Sequence, residues 1–258
     1  MVRLIQKWLK AGVMEQGQWH KTEEGSPQGA VISPILANLY LHHALDLWVD
    51  AWRKKRARGD VIIVRYADDA VLGFERREDA EQFLEQLRER LAKFGLELHP
   101  EKTRLIEFGR FAAERRKRRG EGKPETFHFL GFTHICGTSQ KGLFMIQRKT
   151  SGKRMAAKLK DIRAKLQQRL HESIEDTLKW IQSVVRGYFR YHAVPGNEQR
   201  MRVFRKDVLR LWLRQLRRRS QRSRWTWERF LERLAVHIPF ARTEHPYPNA
   251  RFDATHPR

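Results

Sequence analysis

Two adjacent aspartates, Asp68 and Asp69, interrupt the stretch RYADDAVLGF over residues 65–74, between apolar runs at 61–64 and 71–74. Aspartate favours solvated turns in general, but a tight hairpin is better served by Asp-Gly or Asn-Gly. Side chains alternate faces along a strand, yet at a tight bend neighbouring carboxylates can project toward one end. Carboxylates held that close raise each other's pKa, a cost that a divalent cation removes. Mg²⁺ takes oxygen ligands and is commonly held by one or two carboxylates together with substrate phosphates. Two such ions, about 3.5–4 Å apart, stabilise the attacking and leaving oxygens of a phosphoryl transfer. The pair thus offers either a solvated turn or a metal-assisted phosphoryl-transfer centre, and its surroundings must decide.

The elements that would position it are legible. Residues 61–64 and 71–74 read as strands flanking Ala67-Asp68-Asp69. Residues 78–94 form an amphipathic helix, with Ala80, Phe83, Leu84, Leu87 and Leu91 at helical spacing and Gly95 as its C-terminal stop. Upstream, residues 25–29 (GSPQG) are a loop signal. Ser33-Pro34 reads as an N-cap followed by proline at the first helical position. Ile35, Leu36, Leu39, Tyr40 and Leu47 give that helix a face expected to be buried, and it fades into a basic run at 53–58. Val2, Leu4, Ile5, Trp8 and Leu9 suggest a first helix without a cap, an element expected to need upstream sequence.

Downstream, a strand is expected at 103–107, a charged surface loop at 113–125, and strands at 127–132 and 143–146. From about residue 152 strand patterns give way to basic amphipathic helices. Their apolar faces are Met155, Leu159, Ile162 and Leu166; Leu178, Ile181, Val185 and Tyr188; and Met201, Phe204, Val208 and Leu211. Beyond about residue 240 the chain carries prolines and little periodicity, and no internal repeat is present. The fold class is α+β. An antiparallel sheet with helices is expected over 1–150, an α-helical basic region over 151–240 and an irregular tail over 241–258.

Composition points to the partner. The 258 residues carry 53 lysines and arginines against 30 acids, a net charge of +23. Such an excess attracts polyanions, nucleic acid first and an acidic membrane surface second. No apolar run approaches the ~20 residues that span a bilayer, and the N-terminus lacks a signal-peptide pattern, so a cytoplasmic protein without membrane contact is expected. The single cysteine, Cys136, excludes an internal disulfide and a cysteine-paired zinc site. His128, His134 and Cys136 are spaced irregularly on expected strands and match zinc sites poorly. His42 and His43, adjacent on a helix, should point in different directions.

Tyr66-Ala67-Asp68-Asp69 between apolar strands resembles the signature of reverse transcriptases. Residues 25–42 (GSPQGAVISPILANLYLH) look like the preceding palm segment, and residues 98–110 (LHPEKTRLIEFGR) like the strand that follows. Residues 127–134 (FHFLGFTH) resemble the primer-grip region. Residues 186–197 (RGYFRYHAVPGN) look like the thumb/maturase segment of group II intron-encoded proteins. Several motifs in the right order are far more specific than a tandem aspartate alone.

The resemblance implies a partial polymerase palm followed by a helical thumb/maturase region. The parent activity is RNA-directed DNA polymerisation, a nucleotidyl transfer using two Mg²⁺ ions and dNTP on an RNA/DNA primer-template. Binding of intron RNA to assist splicing of a mobile element accompanies it. Asp68 would be a Mg²⁺ ligand and Asp69 its neighbour in the metal site. Tyr66 and Ala67 would lie by the primer terminus or incoming nucleotide. Gln28 and Gly29 would approach a base pair, glycine allowing close backbone contact. Lys102 would meet the triphosphate, although a surface lysine fits its position equally well. Phe129, Leu130, Gly131 and Phe132 would seat the primer backbone, or simply pack a core.

Arg186, Tyr188, Arg190, Tyr191, Arg217, Arg218 and Arg219 would contact RNA, phosphates meeting cations and unpaired bases stacking on rings. Their helical spacing also fits core packing for the aromatics, and the charge runs at 115–119 and 217–219 also fit solvated faces. The family's metal site uses a further aspartate from an earlier palm strand, and no Asp precedes Asp46. Asp46, Asp50 and Asp60 do not match it. The expectation is therefore an incomplete two-ion site, inactive on its own, that a complementing N-terminal portion would finish. A non-catalytic RNA-binding splicing factor or a truncated remnant are the other readings.

Overall fold

Antiparallel hairpins and amphipathic helices make up the computed structural model, which describes residues 2–9, 12–15, 18–20, 32–139, 142–220 and 223–247. The α+β class expected from sequence is what forms. The chain divides into two units, Met1–Leu105 and Ile106–Arg258.

In the first unit, helix α1 (Val2–Leu9) precedes a short antiparallel pair, β1 (Val13–Glu15) and β2 (Gln18–His20), with Met14 opposite Trp19. Helix α2 (Ser33–Leu41) runs into a π-helical turn at His42–Asp46 and on into α3 (Leu47–Lys55). Strands β3 (Val61–Tyr66) and β4 (Asp69–Phe74) form a hairpin, and α4 (Arg77–Ala92) packs behind it. The core joins Leu45, Val49 and Trp52 to Phe83, Leu87 and Leu91 of α4, with Ile63 and Leu72 of the hairpin against them. Trp52 meets Phe83 edge to face at 5.0 Å, and its indole N–H donates to Gln86 at 2.8 Å. Near the start of α4, the buried carboxylate of Asp79 accepts the backbone N–H groups of Arg58 and Gly59 at 2.8 and 3.1 Å. Gly95, at φ 65°, ends the helical run as expected, and Leu96 N–H reaches back to the Leu91 carbonyl.

The face expected to be buried on α2 is not. Ile35, Leu39, Tyr40 and Leu47 are 64, 49, 47 and 51% exposed, and no α2 residue is buried. The helix is interrupted by the π turn, where Leu47 N–H bonds to His42 O. Burial lies instead on Ala44, Leu45, Val49 and Trp52. Within that turn the rings of His42 and His43 sit edge to face, 5.5 Å apart, rather than diverging. The helix starts at Ser33 with Ile32 at the N-cap, one position earlier than the sequence suggests.

In the second unit, helix α5 (Ala112–Arg118) occupies part of the segment expected to be a loop. The run AAERRKR contains strong helix formers, and a Glu114–Arg118 pair spans one turn. No strand forms at 103–107, which has no ladder partner among the described residues. The single strand expected at 127–132 is two strands, β5 (Phe127–Phe129) and β6 (Phe132–Thr138), with β7 (Phe144–Thr150) completing a sheet of order β5-β6-β7. Leu130 and Gly131, at φ 47° and 80°, make the turn; positive φ at both central residues is the geometry of a two-residue type I′ hairpin.

Helices α6 (Gly152–Gln168), α7 (Ile174–His192), α8 (Glu198–Arg218) and α9 (Trp227–Arg233) share one core, in which Ile162, Ile181, Phe189, Phe204, Trp212 and Phe230 are almost fully buried. Ser173 caps α7 by accepting Asp176 N–H at 3.0 Å. Sheet and bundle are joined through Asn197, which is fully buried. Its carbonyl accepts Thr150 N–H at 2.9 Å, and its amide donates to Thr150 Oγ1 and His192 O at 2.7 and 2.8 Å. The described start of the tail is anchored too: Glu244 and His245 donate their N–H groups to the Ala193 carbonyl. Among the described residues no helix is long and apolar enough to cross a membrane.

Candidate active site and nucleic-acid interface

The β3–β4 register runs from Val61 opposite Phe74 to Tyr66 opposite Asp69, leaving Ala67-Asp68 as a two-residue loop. Both aspartates are exposed at this tip, as is Tyr66, at 66%. Ala67 stands at φ 54°, a conformation that hairpins usually assign to glycine and that costs an L-residue about 1–2 kcal/mol.

Arg65 holds that loop. It lies on the inward face of β3, since 61, 63 and 65 are the half-buried positions of the strand. Its guanidinium donates to both oxygens of Asp46, in the π turn, at 2.7 and 2.6 Å. It also reaches Asn38 Oδ1 at 2.9 Å and the carbonyl of Ala67 at 2.8 Å. Arg65 holds the Asp46 carboxyl below the usual carboxylate range by hydrogen bonding and charge, against a smaller opposing effect of burial. Sequence reasoning did not find this pairing. The available signal was a charge at an inward position of an apolar strand, which needs a partner.

Two adjacent carboxylates are hard oxygen donors and suit Mg²⁺. Among the described residues no group of three or more His, Cys, Asp or Glu side chains could enclose a metal ion. Gln28 and Gly29 lie outside the described residues. Lys102 is exposed in a turn, where its backbone N–H bonds to His99 O at 3.2 Å.

In the second unit the structure brings several predicted residues together. The Tyr191 hydroxyl donates to the Leu130 carbonyl at 2.8 Å, and its ring stacks on Phe132 with centroids 5.8 Å apart. Ser151 N–H donates to Gly131 O at 3.0 Å. Gly131 is buried, and a Cβ there would stand 3.0 Å from Arg154 Nη1 and 3.7 Å from Tyr191 Cε1. Glycine is thus favoured by φ, and a Cβ would also have to displace the tip of the Arg154 side chain. Phe129 is half-buried and closes the hairpin opposite Phe132. Beside this turn, a groove of about 440 Å³ runs between α6 and α7, lined by Arg154, Lys158, Gly187, Tyr191 and His192. A Cβ at Gly187 would meet nothing within 4 Å. Neither packing nor turn geometry therefore requires a glycine there in mid-helix, where it costs about 1 kcal/mol relative to alanine.

The other residues grouped with RNA separate into two kinds. Arg186, Arg190, Arg217 and Arg218 are exposed, Arg217 donating to Trp225 O at 2.9 Å. Tyr188 is a core residue instead. It is 8% exposed and sandwiched by Phe204 and His192 at 3.6 and 4.0 Å, and burial pushes its phenol up to about 12. Its ring face is covered and cannot receive a base. Arg219 is half-buried, aimed at Arg169 O and Thr177 Oγ1. The charge run on α5 is largely neutralised: Arg118 pairs with Glu114, Arg119 with Glu107 and Glu121, and Arg116 with Glu121. Arg154 and Lys158 carry no mark in the sequence, because a lone cation every four residues on a helix is an ordinary solvated pattern.

Comparison with known proteins bears on the hairpin tip and the Leu130-Gly131 turn. The family model described as reverse transcriptase (RNA-dependent DNA polymerase) matches residues 1–134. The group II intron-encoded protein LtrA of Lactococcus lactis subsp. cremoris is 57% identical over 49 residues, 19% of this chain and 8% of that one. An uncharacterized 91 kDa protein in the cob intron of Schizosaccharomyces pombe is 43% identical over 49 residues, 19% of this chain and 6% of that one. A putative COX1/OXI3 intron 1 protein of Saccharomyces cerevisiae is 27% identical, covering 40% of this chain and 18% of that one. Each match thus spans less than a fifth of the relative.

Proposed function

We propose that this chain, which belongs to the reverse transcriptase (RNA-dependent DNA polymerase) family, supplies the aspartate hairpin, primer seat and RNA-holding helices of a group II intron reverse transcriptase and maturase. The observation that carries this reading is the Asp68–Asp69 tip, exposed at a strained loop and pinned from behind by Arg65. A turn that needed only to reverse the chain would be served better by glycine or asparagine at the positive-φ position than by alanine.

In RNA-templated DNA synthesis the primer 3′ hydroxyl attacks the α-phosphate of a dNTP and pyrophosphate leaves. Asp68 and Asp69 are the residues that would hold Mg²⁺, which when bound offsets phosphate charge and favours the attacking oxygen. Tyr66, one position before the loop, offers an exposed ring to the primer end or incoming nucleotide. Gln28, Gly29 and Lys102 are assigned to base-pair and triphosphate contacts. The Leu130-Gly131 turn and Phe129 seat the primer backbone, with Tyr191 fixing the turn. Arg186, Arg190, Arg217 and Arg218 meet phosphates of intron RNA, in a cytoplasmic setting. Splicing assistance follows from that binding.

Primer extension on an RNA template, with the upstream palm portion of a relative supplied in trans, tests the reading. Extension should require Mg²⁺ and fall by about a hundredfold or more in Asp68→Asn, in line with loss of a charge-stabilising group. Extension that is indifferent to Asp68→Asn would overturn it.

A further inference from the structure

Helix α6 carries cations on both sides of its core stripe of Met155, Ile162 and Leu166. Arg154 and Lys158 line the groove toward α7. At 3.6 residues per turn, Lys160 and Arg163 fall on the opposite side of the helix axis. There they face α8 across a second groove, of about 340 Å³, with Arg210 and Arg214 on the far wall and Leu211 at its floor. All four cations are exposed. Lys160, Arg163 and Arg214 have no carboxylate at ion-pairing distance among the described residues, and Arg210 lies 3.6 Å from the one acid lining the groove, Asp207. On α5, by contrast, Arg116 and Arg118 are each paired with a glutamate.

We infer that the α6–α8 groove is a phosphate-binding track for folded RNA, separate from the groove that adjoins the Leu130-Gly131 turn. The inference rests on the nucleic-acid reading above and adds a second site to it. Pairs at i,i+3 on one wall and i,i+4 on the other repeat once per helical turn, an elongated arrangement that suits a row of phosphates rather than one small anion. A lipid surface would need an exposed apolar helix face, and the apolar faces of α6 and α8 are spent on the core. Unpaired cations facing one another cost stability through repulsion, and a polyanion in the groove removes that cost.

The test compares Lys160→Gln/Arg163→Gln/Arg214→Gln with a charge-matched control, Arg115→Gln/Lys117→Gln/Lys123→Gln, in the full chain. A labelled RNA stem-loop and an RNA–DNA primer-template duplex are the probes, titrated across a salt series, with circular dichroism checking the fold. The groove variant should bind the stem-loop about tenfold more weakly and lower the slope of log affinity against log salt by about 2, since each phosphate left without its cation removes roughly 0.7–0.9. Its affinity for the duplex should stay within about twofold, and the control should change neither by more than about threefold. Equal weakening by the two variants, or an unaffected stem-loop, would overturn the groove inference alone. A wild-type chain that binds neither probe would remove the underlying reading as well. Should the triple variant misfold, Lys160→Gln/Arg163→Gln replaces it, with a slope change of about 1.5 expected and an unchanged slope contradicting.

Discussion

Arg65 grips both carboxylate oxygens of Asp46, at 2.7 and 2.6 Å, and with the same guanidinium reaches the carbonyl of Ala67. The pair ties the strand that delivers the aspartates to the π turn of the helix behind it. Its side chains are 14 and 30% exposed, so it is screened less than a surface pair. Lysine cannot reproduce the planar, multi-donor fork. Arg65→Lys is expected to destabilise the first unit by about 1–3 kcal/mol and to lower extension in the complemented assay, with RNA affinity unchanged. Chemical denaturation and extension rates check both.

The same contact gives a pH dependence. The Asp46 pKa is depressed in the folded chain, so its stabilisation is present above the unfolded carboxylate range and is lost as pH falls through the folded value. Arg65→Met should remove that acid-side component, visible as a flatter plot of stability against pH below about 4.

Ala67 at φ 54° predicts that Ala67→Gly stabilises the chain by up to about 1 kcal/mol and that Ala67→Val destabilises it by more. Melting temperatures of the two variants should move in opposite directions.

Seating of the Leu130-Gly131 turn is testable separately. Gly131→Ala must pay for positive φ and for a Cβ 3.0 Å from Arg154 Nη1, an expected loss of about 1–3 kcal/mol. Tyr191→Phe removes one hydrogen bond to Leu130 O and should cost about 0.5–1.5 kcal/mol, while weakening primer-template binding more than stem-loop binding.

His134 and His192 both have pKa values lowered, chiefly by burial. A histidine held neutral stabilises the fold above its unfolded pKa and loses that contribution as pH drops below it. The second unit should therefore weaken as pH falls below about 6.5. His134→Gln should remove part of this slope in thermal melts between neutral and mildly acidic pH.

The strands around the aspartates, helix α4 with its Gly95 stop and the three basic helices were legible because each repeats one period along one buried face. The α2 face was misread because apolar residues at helical spacing mark one stripe without showing what covers it, and burial falls on Ala44, Leu45, Val49 and Trp52 instead. The 127–132 run hid a hairpin because its turn uses Leu130 where Asn or Gly would announce it. Asp68, Asp69, Leu130 and Gly131 were singled out by motif, and the structure places each pair at the tip of a hairpin. Tyr188 was misassigned because an aromatic in a basic helix looks the same whether it faces RNA or the core. The Arg65–Asp46 pair escaped notice since it spans 19 residues and exists only once the hairpin is docked.

The central claim, that the hairpin tip holds the divalent metal, is tested most directly by a Mn²⁺ titration of the full chain followed by amide relaxation. Residues 66–70 should broaden first, Mg²⁺ should reverse the effect, and Asp68→Asn/Asp69→Asn should abolish it. Broadening that begins at the glutamates beside α5, with the tip amides sharp throughout, would contradict the claim.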